Sequence, residues 1–252
     1  MKQWLLSCGV VLCLLWLCAP SAYADGDAPE LLPRCQEALP AAIADLKAPE
    51  RSFVVSDGSN PNSAILLTQG VTMLWRLMGC PAPKENSELP FYVEKSAYYY
   101  AAFLWAYQKG LLVILGLELE NPEAFGKTFA ERTLHNGDVV RLLYHLESVR
   151  LRAEGKMLAL PETIPSDENG FLRPYKDVPK DADCALALLW AGDPSRNFIS
   201  GILGEVLENA VYFRPCQEKT GRGVCTRGQF FVLLHLYAQY MVKTMNAEQE
   251  AA

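Results

Sequence analysis

Hydrophobic residues recur at helical spacing along most of the chain. In residues 63–78 the apolar side chains are three or four positions apart, and Gly79 stands where a helix would end. The same spacing predicts helices over 137–153, 184–190 and 227–243. Runs rich in β-branched residues are scarce. We therefore expect an all-α fold, arranged as one or two small helical bundles.

Further helices are predicted where proline or a turn interrupts the pattern. These are a short segment at 31–46 that contains Pro33 and Pro40, a helix at 122–134, and a helix that starts at Ser195 or Asn197 and runs to about residue 213.

The most hydrophobic segment after the first 24 residues is 91–119, which is long enough to raise the question of a membrane span. Lys109 would lie near the centre of such a span, at a cost of roughly 2.5–3.5 kcal/mol on insertion scales. Gly110 follows it and is a natural helix C-cap. We therefore expect two buried helices here rather than one membrane helix.

Residues 155–183 form the clearest linker. They contain four prolines (Pro161, Pro165, Pro174 and Pro179) and a polar run that ends in Asn169-Gly170. We place a domain boundary there, with an N-terminal helical domain at 25–155, a linker at 156–183 and a C-terminal helical domain at 184–252.

The first 24 residues have the features of a secretory signal peptide. Lys2 precedes an apolar run that is too short to span a bilayer comfortably, and Ala22-Tyr23-Ala24 gives the small-x-small pattern of a cleavage site. The alternative is an uncleaved N-terminal anchor. We expect cleavage after Ala24 and a periplasmic location, with no membrane span afterwards.

The charge narrows the classes of partner. The whole chain has a net charge of −6, and removal of the leader takes away one positive charge, that of Lys2. An acidic protein of this kind is a poor match for nucleic acid or an anionic membrane surface and suits a basic protein partner.

Five of the eight cysteines follow the predicted leader, where an oxidising compartment favours disulfides. Cys216 and Cys225 bracket a loop with two glycines and are the best local pair; closing such a loop stabilises by roughly 2–3 kcal/mol. Cys35 and Cys80 are further candidates. The odd number leaves one thiol free or intermolecular. No C-x-x-C pair is present, so the spacing does not indicate a metal site.

Two parts of the chain are alike enough to suggest an internal duplication. Each has Asn-Pro or Asp-Pro, an apolar run, a polar-Gly step and a cysteine, followed by a helix rich in aromatic residues. The comparison pairs Gln69-Gly70 with Ser200-Gly201 and Cys80 with Cys216. Two helical hairpins of similar composition would look the same, so both explanations stay open.

The C-terminal quarter carries the sequence features with a recognisable pattern. Gly201 lies inside an apolar helix pattern, and Cys225-Thr226-Arg227-Gly228-Gln229 then leads into an apolar run up to Tyr240. From about Cys184 to Lys243 the chain resembles the Rap/Tai-type immunity proteins linked to type VI secretion. The family's further cysteines have no counterparts here, since Trp190 and Phe198 stand at those positions. From the residues alone, Thr226 can cap the last helix, Gly228 allows close backbone approach and Gln229 can bond near the helix start.

The resemblance implies an exported, helical immunity-type protein that neutralises a cell-wall-degrading effector by covering it. Such a protein needs a complementary surface and no cofactor or metal. Its partner would be a protein, and the sequence leaves a homodimer open.

No set of residues forms a recognisable catalytic motif. There is no G-x-S-x-G and no phosphate-binding glycine loop. His235 lies among leucines and is expected in the core. The alternative function is an envelope-maintenance factor or enzyme on a related scaffold, for which convergence of His145, Glu131 and Arg141 in a pocket would be the sign. We expect a protein that is not an enzyme.

Overall fold

The computed structural model of the protein describes residues 33–46, 60–85, 87–115, 132–158, 164, 166, 168–170, 172, 178–193 and 223–251. Within these residues the chain forms six α-helices and no strand. The helices are α1 (Pro33–Leu46), α2 (Leu67–Leu77), α3 (Tyr100–Gln108), α4 (Asn136–Ala153), α5 (Ala185–Gly192) and α6 (Arg227–Ala251). A 3₁₀ turn at Val113–Leu115 follows α3. The all-α prediction is confirmed.

Two helix ends lie where the glycines predict them. After α2, Gly79 has φ +80°, and after α3, Gly110 has φ +72°. At both ends the two amides that follow the last helical turn donate back to it; for α2 these are Gly79 N to Arg76 O at 2.8 Å and Cys80 N to Trp75 O at 3.0 Å. This is the Schellman arrangement, and it favours glycine because a left-handed backbone costs a side-chain-bearing residue energy.

The segment 91–119 does not form one long helix in its described part. Helix α3 ends at Gln108 and the backbone turns at Gly110, as expected. The following residues form only the short 3₁₀ turn before the description stops at residue 115. Among the described residues, no helix combines the length and apolar character that a membrane crossing requires.

The sequence prediction is wrong for two short segments before helices. Residues 63–66 and 132–134, which the periodicity places in helices, are extended and form isolated β-bridges. A third extended segment, 224–226, joins them. Each of the three segments ends where a long helix (α2, α4 or α6) begins.

The three extended segments are joined in a closed cycle of backbone hydrogen bonds. Leu134 N donates to Ile65 O at 3.0 Å, Ile65 N donates to Cys225 O at 3.0 Å, and Cys225 N donates to Leu134 O at 2.9 Å. All three residues are buried. Buried amides need partners, and here each segment supplies the acceptor for the next.

The helices that leave this cycle start in the same way. The backbone N–H of Leu66 donates to Gln69 Oε1, that of His135 to Asp138 Oδ2, and that of Thr226 to Gln229 Oε1. In each case the acceptor lies three residues beyond its donor, on the first turn of the helix. The side chain therefore satisfies an amide that the helix itself cannot bond.

The six helices associate as three pairs. Helix α2 packs against α3, α4 packs against α5, and α6 packs against α1. The short helices α3 and α5 are alike in detail, since each carries a buried tryptophan, Trp105 or Trp190, as its sixth residue. The described residues thus form a three-part internal repeat, and the third pair is completed by the first helix of the chain.

This repeat differs in register from the predicted duplication. It relates Gln69 to Asp138 and Gln229, whereas the sequence comparison related Gln69-Gly70 to Ser200-Gly201. The latter pair and Cys216 lie outside the described residues.

One hydrophobic core runs through the described residues on both sides of the predicted linker. It includes Leu46 and Leu74 from the N-terminal part and Trp190 and Phe231 from the C-terminal part. Leu172 from the predicted linker is fully buried in the same core. The domain boundary at 156–183 stays a prediction. In the described residues, the parts of the chain before and after it pack into one shared core.

Candidate functional site: an anchored tyrosine loop

The connection between α2 and α3 presents the most exposed aromatic side chains of the described residues. We call residues 81–98 the tyrosine loop; residue 86 is not described. Tyr92 is 87% exposed and Tyr98 is 61% exposed. Solvent exposure of large apolar area is unfavourable, and tyrosine is enriched among the residues that dominate protein–protein binding energy. The loop is therefore the candidate interaction surface.

Contacts at several points hold the tyrosine loop against the helices. Trp75 on α2 donates its Nε1–H to Pro81 O at 3.0 Å. The backbone N–H of Lys84 donates to Gln108 Oε1 on α3 at 3.1 Å. Phe91, next to the exposed Tyr92, is 5% exposed and belongs to the core. A loop fixed in this way loses little conformational entropy when a partner binds.

Tyr98 stands on an aromatic base at the start of α3. Its ring meets Tyr99 edge to face with centroids 5.1 Å apart, and Tyr99 meets Phe103 at 5.2 Å. The Tyr98 hydroxyl lies 3.4 Å from Thr68 Oγ1 on α2, which also ties the loop to that helix. Burial, followed by the charges of Tyr98 and Glu94, raises the pKa of Tyr99 above its ordinary value.

Charged side chains of both signs lie near the two tyrosines in the sequence of the loop. Lys95 Nζ lies 3.5 Å from Glu88 Oε1, with both side chains about three-quarters exposed. Ser96 donates to Glu94 Oε1 at 2.6 Å. Such an exposed ion pair contributes little stability. An apolar aromatic centre with a polar margin is the usual composition of a protein interface.

Thr226 and Gln229 have a structural role at the start of α6. Thr226 Oγ1 accepts from Gln229 N at 3.1 Å while Gln229 Oε1 accepts from Thr226 N at 2.9 Å, which makes a reciprocal capping box. Thr226 and Gln229 are buried, and Gly228 is buried between them. Gly201 lies outside the described residues.

A buried ionic cluster lies between α4 and α6, and sequence reasoning missed it. Glu147 is fully buried and accepts two hydrogen bonds from Arg150, at 2.8 and 2.9 Å, and one from the Tyr237 hydroxyl at 3.1 Å. The hydrogen bonds and charge of Glu147 raise the pKa of Arg150 despite its partial burial. Burial, reinforced by the carboxylate, raises the pKa of Tyr237 well above its usual range. The sequence did contain a signal that Glu147 is buried, because Glu147 follows Leu143 by four residues and so lies on the apolar face of α4.

Two of the three residues singled out for the alternative function are described, and each has a partner of its own. His145 Nε2 lies 2.9 Å from the Lys109 carbonyl, beside Gly110. Arg141 lies 3.5 Å from Asp183, whose side chain is 80% exposed. Glu131 lies outside the described residues. No three histidine, cysteine, aspartate or glutamate side chains of the described part could jointly hold a metal ion.

The histidine expected in the core is partly buried and paired. His235 on α6 is 13% exposed, and its Nδ1 lies 2.6 Å from Asp45 Oδ2 on α1. The pair links the first and last helices of the described chain.

The cysteine candidates are only partly described. Cys80 is exposed, Cys184 and Cys225 are buried, and no disulfide joins any two of these three. Cys216 and the side chain of Cys35 lie outside the described part. The predicted pairing of Cys216 with Cys225 stays a prediction, as does the choice of Cys35 and Cys80 as further disulfide candidates.

Comparisons with known proteins give no relative for this chain. No family model, no curated protein and no solved structure matches it.

Proposed function

We propose that this is an exported binding protein of immunity type, which neutralises a cell-wall-degrading effector by covering it. The observation that carries the proposal is the tyrosine loop, where Tyr92 and Tyr98 are held out from the core by anchored neighbours. Covering an enzyme requires a preorganised, partly apolar surface, and it requires no reacting groups.

Two features of the sequence support an exported protein with a protein partner. The first 24 residues have the pattern of a cleavable leader, and the last quarter resembles a family of exported immunity proteins. The net charge of −6 favours a basic partner surface and disfavours nucleic acid. The alternative, an envelope-maintenance factor or enzyme, has no candidate metal site among the described residues to support it.

The proposal is tested by protection of cells from a periplasmic cell-wall amidase. Cells that produce the amidase together with this protein should keep growing, and the protein should be recovered with the amidase in a pull-down. Tyr92→Ala combined with Tyr98→Ala should abolish both effects, because it removes the aromatic centre of the surface.

Met157→Ala is the matched control, because Met157 is also 87% exposed and lies outside the tyrosine loop. It should protect as well as the unmodified protein. Failure of a panel of periplasmic amidases to be retained, together with no protection of cells, would contradict the proposed function. Full protection by the double tyrosine variant would instead contradict the assignment of the surface.

A further inference from the structure

We propose that Asn169-Gly170 is a self-modifying turn, in which the side-chain amide of Asn169 is converted into a carboxylate without an enzyme. The sequence contains two Asn-Gly pairs, Asn136-Gly137 and Asn169-Gly170. Asparagine before glycine is prone to this reaction, because glycine has no side chain to hinder attack by its backbone nitrogen. The two pairs lie in opposite surroundings, and only the second is suited to react. The inference does not depend on the proposed function.

Asn169 and Gly170 lie in a turn of the connection between α4 and α5. Ser166 and Leu172 form an isolated antiparallel bridge, so the chain reverses direction between them. Asn169 is exposed to solvent, and Gly170 has φ +80°. Because a left-handed backbone favours glycine, the shape of the turn selects the same residue that makes the asparagine reactive.

The turn is held in place by its neighbours and by the carbonyl of Gly170. Gly170 O accepts a hydrogen bond from Lys180 N at 2.9 Å, and Leu172 N donates to Val178 O at 2.7 Å. Among the described residues, no backbone hydrogen bond has Gly170 N as its donor. The nitrogen that would attack the Asn169 side chain is therefore not committed to a backbone acceptor.

The other pair, Asn136-Gly137, is protected by the start of α4. Both residues are buried, and Asn136 is 0% exposed. Ring closure needs rotation about the Cα–C bond of the asparagine, and a helical backbone fixes that angle. Asn136 therefore reacts only when the first turn of α4 opens.

The reaction balances with water as the co-reactant. Gly170 N attacks Cγ of Asn169, the N–Cγ bond forms, the Cγ–Nδ2 bond breaks, and ammonia leaves with the proton that Gly170 N gives up. Water then opens the cyclic imide at either of its two carbonyl carbons. Opening at Cγ gives aspartate, and opening at the main-chain carbonyl carbon of Asn169 gives isoaspartate, in which the main chain runs through the side chain. Either product adds a negative charge, and isoaspartate also lengthens the main chain close to Leu172, which is fully buried.

Incubation of the folded full chain at mildly alkaline pH, followed by trypsin digestion and mass spectrometry, tests the proposal. Trypsin places the two asparagines in separate peptides, 133–141 and 157–176. Conversion at Asn169 should be at least about tenfold faster than at Asn136 in the folded protein, because Asn136 depends on local opening of α4. In the chain denatured with urea, the two rates should become similar.

Asn169→Gln is the matched control, because glutamine keeps the amide group but must close a larger ring that forms more slowly. In this variant peptide 157–176 should stay unmodified, and the rate at Asn136 should not change. The proposal is overturned if peptide 157–176 stays unmodified in the folded protein while the denatured chain converts. Conversion of both asparagines at one common rate in the folded protein would overturn it as well, because the fold would then not distinguish the two pairs.

Discussion

At the scale of single residues, Glu147 departs most clearly from the three-part repeat. It is the one fully buried charged side chain among the described residues. The repeat places Met78, directly after α2, and Ala238 on α6 at the corresponding positions, so an apolar residue is compatible with this place in the fold. The carboxylate is tolerated because Arg150 and Tyr237 complete its hydrogen bonds.

A double-mutant cycle measures this dependence. Arg150→Met alone should lower the free energy of unfolding by about 3–5 kcal/mol, because it leaves a buried carboxylate without its cation. Glu147→Met together with Arg150→Met should cost markedly less, because no uncompensated charge remains. Denaturant titration of Arg150→Met, Glu147→Met and the double variant gives the comparison, and equal losses in Arg150→Met and the double variant would contradict it.

Asp138 makes the stability of the folded protein depend on pH. Burial alone would raise its pKa, but hydrogen bonds from His135 and the charge of Arg132 outweigh burial and hold the pKa below its ordinary value of 3.8. Because the folded-state pKa is the lower one, the carboxylate stabilises the protein above the ordinary pKa. That contribution is lost as the pH falls through the folded-state pKa.

Asp138→Asn should therefore be less stable than the unmodified protein by roughly 0.5–1 kcal/mol at neutral pH, with the difference vanishing at low pH. Thermal or denaturant unfolding across the acid range measures it. Gln229→Ala is the control, since the equivalent residue in α6 does not titrate and its loss should matter equally at all pH values. A pH-independent effect of Asp138→Asn would show that charge plays no part.

At the scale of elements, periodicity and glycine positions predict helix bodies and ends well. They predict α4 and the ends at Gly79 and Gly110, because both signals are local. They misplace residues 63–66 and 132–134, whose extended backbone is set by hydrogen bonds to segments far away in the chain. The repeated signal was the acceptor side chain three residues after the donor amide at each helix start, namely Gln69, Asp138 and Gln229.

Packing where α2 meets α6 makes a further prediction at this scale. A Cβ on Gly70 would lie 2.7 Å from Leu134 Cδ1 and 3.3 Å from Phe230 Cζ, both in fully buried side chains. Gly70→Ala should therefore destabilise by about 1–3 kcal/mol through overpacking, offset in part by the roughly 1 kcal/mol that alanine gains over glycine in a helix. Equilibrium unfolding measures the change.

Leu134→Val supplies the control, because it removes the Cδ1 atom. In that background the penalty of Gly70→Ala should shrink or reverse sign. An unchanged penalty would mean that the crowding at Leu134 is not its cause.

At the scale of the whole molecule, the sequence predicts an all-α protein but not how distant segments of the chain associate. Their association depends on three backbone hydrogen bonds among Ile65, Leu134 and Cys225 and on the packing of α1 against α6. Neither leaves a periodic pattern in the sequence. The tyrosine loop was likewise not predicted, because Tyr92 and Tyr98 lie in a segment whose hydrophobicity indicated burial, and only the tertiary structure separates the buried Phe91 from its exposed neighbour.

Inhibition of a purified cell-wall amidase as a function of molar ratio tests the central claim, that this protein acts by covering a partner rather than by a reaction. For an amidase that the protein retains in a pull-down, the rate of peptidoglycan hydrolysis should fall linearly and reach its endpoint near a molar ratio of one to one. With the Tyr92→Ala, Tyr98→Ala variant the amidase should keep its full activity. Complete loss of amidase activity at a small fraction of an equivalent, increasing with time of incubation, would contradict the claim, since it would mean that each molecule inactivates many amidases by catalysis.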